Sequence, residues 1–125
     1  LATGAEVAPV LEAIPDPNLG LVWDPANAYV AGVDDVLGQD YPRIPQGRIL
    51  HVHAKDGVMD RSIDRMKWGD IGDGKVDWPG QFAALVRDGY RGLVSLETHW
   101  GGPGGEKFAG SAICVKSLQR LIAAA

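Results

Sequence analysis

The 125 residues predict an α/β domain built from parallel βα units, and three observations carry that expectation. Helical and extended patterns alternate along the chain, in the order helix, strand, short helix, strand, helix, strand, helix. No two strands show a hairpin signal between them, so they are expected to run parallel through right-handed crossovers. Each of the three strands also places, at its carboxyl end, a side chain able to bind a metal ion: Asp24, His53 and Glu97.

Thr3 to Glu6 has the form of a capping box, and Val7, Val10, Leu11 and Ile14 then recur at helical spacing until Pro15, predicting a helix over 4–14. Asp16-Pro17-Asn18 turns the chain into a strand over Gly20 to Trp23, where Leu19, Leu21 and Trp23 alternate with Gly20, Val22 and Asp24. Pro25 ends that strand, and Ala26 to Ala31 forms a short helical turn. Gly32 to Gly47, with Pro42 and Pro45, reads as loop with a few helical residues near Asp34 to Leu37.

Arg48 to Asp56, RILHVHAKD, is the second strand. When it is extended, Ile49, His51, His53 and Lys55 share one face and Leu50, Val52 and Ala54 the other. The connection from Gly57 to Val76 contains GDIGDGK and is long for a compact domain, so it is expected to be a solvated loop or a functional lid. Asp77 as N-cap, Pro79 in the first turn, a stripe of Phe82, Leu85 and Val86, and a closing Gly89 predict the next helix. Gly92 to Thr98 is the third strand, with Val94 and Leu96 alternating against Leu93, Ser95 and Glu97. A glycine-rich loop from Trp100 to Gly105 leads to a last helix marked by Phe108, Ala112, Val115, Leu118 and Ile122.

Composition narrows the function classes. A hydrophobic content of 46% belongs to a globular domain. A net charge of −4 without any run of Lys or Arg gives no footprint for nucleic acid or an anionic membrane, so a small-molecule ligand is expected. No apolar run approaches the roughly 18 residues of a membrane span, and the first residues lack the pattern of a signal peptide. The single cysteine, Cys114, excludes an internal disulfide, reads as helix packing, and suits a cytoplasmic setting. Leu1 opens the chain inside what reads as a helical unit, as expected of a fragment or a processed piece.

In a parallel βα array the carboxyl ends of the strands lie at one edge, where active sites are built. Strands spaced about 4.8 Å apart let groups on three neighbours converge on one ion. Asp24, His53 and Glu97 offer two carboxylates and an imidazole, a fairly hard set suited to manganese, magnesium or cobalt and compatible with zinc. Alone, each has a plainer reading: Asp24 as a turn residue before Pro25, His53 as a hydrogen-bonded core histidine, Glu97 in solvent. The agreement of face and end across three strands favours the shared site. His51 lies on the same face one step deeper, as a supporting or substrate-facing group, and His99 lies at the mouth.

The segments WDPAN at 23–27, HVHAKD at 51–56, GDGKVDW at 72–78, GYRG at 89–92 and SLETHW at 95–100, in this order and spacing, resemble the sugar phosphate isomerase/epimerase family with its xylose-isomerase-like barrel. The resemblance implies that residues 1–125 are the carboxyl-terminal part of one (β/α)8 TIM-barrel domain, a partial barrel holding strands six to eight behind the fifth helix. It implies that Asp24, His53 and Glu97 are three of four metal ligands, the fourth being a glutamate on the fifth strand, upstream of Leu1. That glutamate and Glu97 would form the acid/base pair of an isomerase or epimerase acting on a small sugar, sugar phosphate or sugar acid. A metal holding a carbonyl and the adjacent hydroxyl oxygen stabilises the enediolate left when a carboxylate removes the α-proton.

Departures from the family pattern bear on the substrate. Asn27 stands where epimerases commonly carry a histidine, and it retains the ability to bond a sugar hydroxyl. Met59 stands in place of an arginine, whose role Arg61 or Arg65 is expected to take. Lys55 is expected to orient a substrate carboxylate or phosphate, or else to pair with Asp56; the Lys55-Asp56 pair resembles the isomerase and dehydratase branches, so a polyol or inosose dehydratase is the near alternative. The more distant apurinic nucleases match at SLET, but Met66 after Asp64-Arg65 removes one zinc ligand and the acidic charge disfavours DNA. A third reading is a non-catalytic truncated barrel. Its inner face of Val22, Ile49 and Leu93 would lie uncovered and would associate with a second copy or with the missing amino-terminal part of the barrel.

Overall fold

The computed structural model describes all 125 residues, Leu1–Ala125. Helix α1, Gly4–Ala13, starts at the expected capping box: Thr3 Oγ1 accepts the Glu6 N–H at 3.2 Å, and the Glu6 carboxylate accepts the Thr3 N–H at 3.1 Å. A second acceptor comes from far along the chain. Asp40, buried, takes the N–H groups of Gly4 at 2.7 Å and Ala5 at 3.1 Å, satisfying donors that the helix leaves unpaired. Of the predicted apolar stripe only Leu11 is buried, while Val10 and Ile14 remain exposed.

The three predicted strands form one parallel sheet in the order β1-β2-β5, with β1 at Leu21–Trp23, β2 at Ile49–Ala54 and β5 at Leu93–Leu96. Between β1 and β2 run a short helix α2, Pro25–Val30, a π-helical turn, Val36–Asp40, and a 3-10 turn, Tyr41–Arg43. Helices α3, Trp78–Arg87, and α4, Lys107–Ala123, contribute to the core. Trp23, Val52, Ala54, Trp78, Phe82, Leu85, Cys114 and Leu118 form that core, the apolar faces of the strands meeting the helices as their alternation requires. On the other face Val22 is 51% and Leu93 75% exposed, whereas Ile49 is partly buried against the core, so the inner surface is uncovered at the two edge strands and not at β2. β1 and β5 are both edge strands. No helix is long and apolar enough to cross a membrane.

The connection after β2 differs from the expected loop. It folds into an antiparallel hairpin of β3, Asp56–Asp60, and β4, Arg65–Gly69, with Met59 opposite Met66 and Gly57 opposite Trp68. Its turn is held by Asp60, which accepts from the Ser62 N–H at 3.0 Å and pairs with Lys67 at 2.6 Å, and by Asp64 at a φ of 48°. No Asn-Gly or Asp-Gly dipeptide occurs there, because a longer turn with an aspartate in the left-handed region replaces the tight one. The rest of the connection wraps around Asp56, whose carboxylate accepts the N–H groups of Gly57 at 2.8 Å, Gly72 at 3.0 Å and Val76 at 3.2 Å.

Helix α3 buries Phe82 and Leu85 of its predicted stripe but not Val86, whereas α4 keeps only Leu118 of its stripe inward. On α3 the buried residues are Trp78, Gln81, Phe82, Ala84 and Leu85, while Val86 is exposed. On α4 they are Gly110, Cys114, Ser117 and Leu118, whereas Phe108 is 89% exposed and Ala112, Val115 and Ile122 also face outward. The physical reason is close approach. A Cβ on Gly110 would overlap the Trp100 carbonyl oxygen and lie 2.7 Å from the Gly102 nitrogen, so the small-residue side of α4 is the one that can press on the loop after β5.

Tyr41 gives the fold a measurable pH signature. It is 6% exposed, its hydroxyl donates to Asp88 Oδ2 at 3.0 Å, and burial, followed by the Asp88 bond and charge, pushes the phenol up to about 12. A phenol raised above its unfolded value of about 10 contributes stability that is complete below about pH 10 and lost as pH rises toward the folded value. Urea unfolding at about pH 9 and about pH 11.5 should show this loss in the parent protein, and Tyr41→Phe should lack the Tyr41 share of it.

Candidate functional site

The pairing register sets the heights of the side chains at the carboxyl edge. Trp23 pairs with Val52, so the next rung places Asp24 beside His53. On the other side His53 pairs with Ser95 and Ala54 with Leu96, so Glu97 stands level with Lys55, two residues beyond His53. The Glu97 N–H continues the ladder to the Ala54 carbonyl at 2.9 Å. The three expected ligands are therefore not at one height, and the longer reach of the glutamate closes the difference.

Asp24 divides its two oxygens between structure and site. Oδ1 caps α2 by accepting the Asn27 N–H at 2.9 Å, with Pro25 preset for the first helical position. Oδ2 is buried, has no aligned hydrogen-bond donor, and faces Lys55 Nζ at 2.8 Å and His53 Nδ1 at 3.9 Å. The turn-residue reading and the site reading of Asp24 thus describe different atoms of one carboxylate.

One ligand atom each from Asp24, His53 and Glu97 lies within 4.8 Å of the others. His53 Nδ1 is 3.5 Å from Glu97 Oε2. The buried Asp24 Oδ2, whose near neighbour is the Lys55 ammonium, the half-exposed imidazole and the half-exposed Glu97 carboxylate make a donor set that fits a divalent ion with room left for other ligands. Lys55, 5% exposed, lies against the same cluster and donates to Glu97 Oε2. That hydrogen bond, with a further one from His99 and against the opposing effect of burial, holds the Glu97 carboxyl down to about 2.

The remaining expected residues divide. His99 Nε2 lies 3.1 Å from Glu97 Oε1, and His51 Nε2 lies 2.8 Å from Ser95 Oγ with its ring edge-on to His53, centroids 5.4 Å apart. Asn27 contributes its backbone N–H to Asp24, and its side chain is exposed. Arg61 is not drawn to the cluster: it sits past the end of β3 in an exposed pair with Asp34 at 3.1 Å. Lys55 does not pair with Asp56, whose carboxylate turns to the backbone N–H groups of the following loop.

Two neighbours of the site lie outside the residues that the sequence singles out. Trp68 stacks on His99 with centroids 4.5 Å apart and lies 5.8 Å from Lys55 Nζ, and Ser95 holds His51. A signal for Trp68 exists, since Arg65, Met66, Lys67 and Trp68 alternate polar and apolar as a strand does.

The model of the family described as xylose isomerase-like TIM barrel matches residues 1–119. Among solved structures, a xylose isomerase domain protein from Planctomyces limnophilus superposes with a TM-score of 0.77 at 21% identity, over 95% of this chain and 43% of that one. A xylose isomerase domain protein from Alicyclobacillus acidocaldarius superposes with a TM-score of 0.64 at 30% identity, over 95% of this chain and 42% of that one. The chain thus spans less than half the length of these neighbours. No curated protein sequence matches it.

Proposed function

Because the chain belongs to the xylose isomerase-like TIM-barrel family, we propose that it is the carboxyl-terminal part of a divalent-metal-dependent isomerase or epimerase of a small sugar, sugar phosphate or sugar acid. The observation that carries this reading is the convergence of Asp24, His53 and Glu97 within 4.8 Å at the carboxyl edge of parallel strands. Asp24 Oδ2, His53 Nδ1 and Glu97 Oε2 would hold the ion, with manganese, magnesium or cobalt favoured by the two carboxylates and zinc compatible. When bound, the ion supplies positive charge to the oxygens of an α-hydroxycarbonyl and makes the hydrogen on the carbon between them more acidic.

The chain's own residues then have separate roles. Glu97 is ionised and accepts that proton on a carboxylate oxygen. His99, partly exposed and bonded to Glu97, meets a substrate hydroxyl at the mouth, while His51, held by Ser95, braces the His53 ring. The counterpart acid/base group and the fourth ligand belong to the part of the barrel outside this chain, and a cytoplasmic location is also proposed from the free Cys114.

Calorimetric titration with Mn²⁺ tests the site. Glu97→Gln should weaken binding at least about tenfold, since a charged ligand is replaced by a neutral amide. Equal affinity in the two proteins would count against the assignment.

The uncovered inner face favours one further property of this chain. Val22 and Leu93, more than half exposed on the two edge strands, would be buried by a second copy or by the rest of a barrel. Light scattering on the purified chain should therefore give at least twice the 13.3 kDa mass of one copy, and a well-ordered monomer would contradict this.

A further inference from the structure

The cluster at the carboxyl edge already contains a cation of its own. Lys55 is 5% exposed, and a buried ammonium is stable only beside compensating charge. Its partners are Asp24 Oδ2 at 2.8 Å and Glu97 Oε2. These are the two carboxylate oxygens that lie nearest His53 Nδ1, at 3.9 Å and 3.5 Å. The ammonium and a divalent ion are therefore addressed to the same pair of oxygens.

Resting on the metal-site reading above, we propose that Lys55 is a built-in counter-cation that competes with the divalent ion and leaves Asp24 and Glu97 when the ion enters. Without an ion, the ammonium keeps two neighbouring carboxylates from repelling each other and holds them in place. With an ion held by both carboxylates, the ammonium would face a like charge at contact distance, with Lys55 and Asp24 buried and little water between them to screen it. It must then withdraw from the carboxylates, and the Trp68 ring of the hairpin, which Nζ already faces at 5.8 Å, lets it do so without losing all of its favourable contacts. The hairpin thus borders Lys55 through Trp68, which also stacks on His99 beside Glu97.

The register explains how this lysine reaches both carboxylates. His53 is level with Ser95, whereas Lys55 is level with Glu97, so the side chain two residues after the imidazole reaches the same carboxylates. Lys67, on the neighbouring hairpin strand, is engaged with Asp60 and is 70% exposed.

Acylation by a water-soluble succinimidyl ester, read by peptide mass spectrometry on the whole protein, follows the ammonium directly. Lys67, whose environment does not involve the cluster, is the internal reference. Without divalent ion, Lys55 should react much more slowly than Lys67; saturation with Mn²⁺ should raise the Lys55 rate several-fold and leave Lys67 unchanged. Continued protection of Lys55 at Mn²⁺ saturation overturns the proposal. Calorimetry gives an independent arm: Lys55→Met should bind Mn²⁺ at least about tenfold more tightly than the parent, and Lys55→Arg, which keeps the charge, should not. If Lys55→Met does not fold, the acylation result on the parent protein decides. Equal or weaker Mn²⁺ binding by a folded Lys55→Met overturns the competition while leaving the metal site standing. Absence of Mn²⁺ binding in both parent and variant overturns the metal site, and the competition with it.

Discussion

Asp56→Ala should lower the unfolding free energy by about 3 kcal/mol or more, because one buried carboxylate satisfies several backbone donors at once. The N–H groups of Gly57, Gly72 and Val76 all point at Asp56, and a Cβ on Gly74 would overlap its carboxylate, so the loop is moulded around this side chain. Alanine removes the acceptor and leaves those donors without partners, at a cost of about 1–3 kcal/mol for each that stays buried. Burial raises the Asp56 carboxyl above its ordinary range even though four backbone N–H groups pull it down. The contribution of Asp56 therefore lies in satisfying donors and not in a favourable charge. Asp56→Asn sharpens the test: its amide keeps one carbonyl acceptor but turns an N–H₂ toward the same donors, so it should recover only part of the loss. Urea unfolding followed by circular dichroism measures both variants, and a midpoint for Asp56→Ala equal to that of the parent would show that the loop is not anchored by this residue.

Trp23→Ala should cost about 3–5 kcal/mol, the range for emptying a large aromatic site in a core. Trp23 is 2% exposed, meets Tyr41 edge-on with centroids 5.7 Å apart, and its Nε1–H donates to Gln81 Oε1 at 2.9 Å in the interior. The variant therefore creates a cavity and also strands the oxygen of a buried glutamine. Trp23→Phe separates the two effects: it fills most of the space but leaves Gln81 without its donor, and should cost about 1–3 kcal/mol. Domains of this size are stable by about 5–15 kcal/mol in all, so the alanine variant is expected near the threshold of folding. Because Asp24 follows Trp23 directly, a folded Trp23→Ala should also bind Mn²⁺ more weakly than Trp23→Phe. Thermal unfolding of the three proteins orders them, and an alanine variant as stable as the phenylalanine one would refute this account of β1.

Patterns with a local cause were legible in the sequence. The capping box at Thr3 and Glu6, the Asp77 cap of α3 and the stop at Trp23-Asp24-Pro25 each follow from contacts within a few residues, and each appears where expected. The three parallel strands were legible because their apolar alternation and the helices between them leave few topologies open. The hairpin was not, since its turn uses Asp60, Ser62 and Asp64 in place of a short dipeptide signal. The buried side of α4 was legible only at Leu118, because large apolar residues mark Phe108 and Ile122 while the helix packs through Gly110, Cys114 and Ser117 as well.

The sequence by itself determined the class of fold, the strands that carry Asp24, His53 and Glu97, and the family to which residues 1–119 belong, all of which depend on residue type and spacing. Only the tertiary structure decided what each side chain meets. Register is a relation between strands far apart in the chain, and it places Asp24 level with His53 but Glu97 level with Lys55, which puts the lysine between two carboxylates instead of beside Asp56. A single strand read alone gives the face of each residue but carries no information about its height against a neighbour, and that height selects the partners of every charge at the edge.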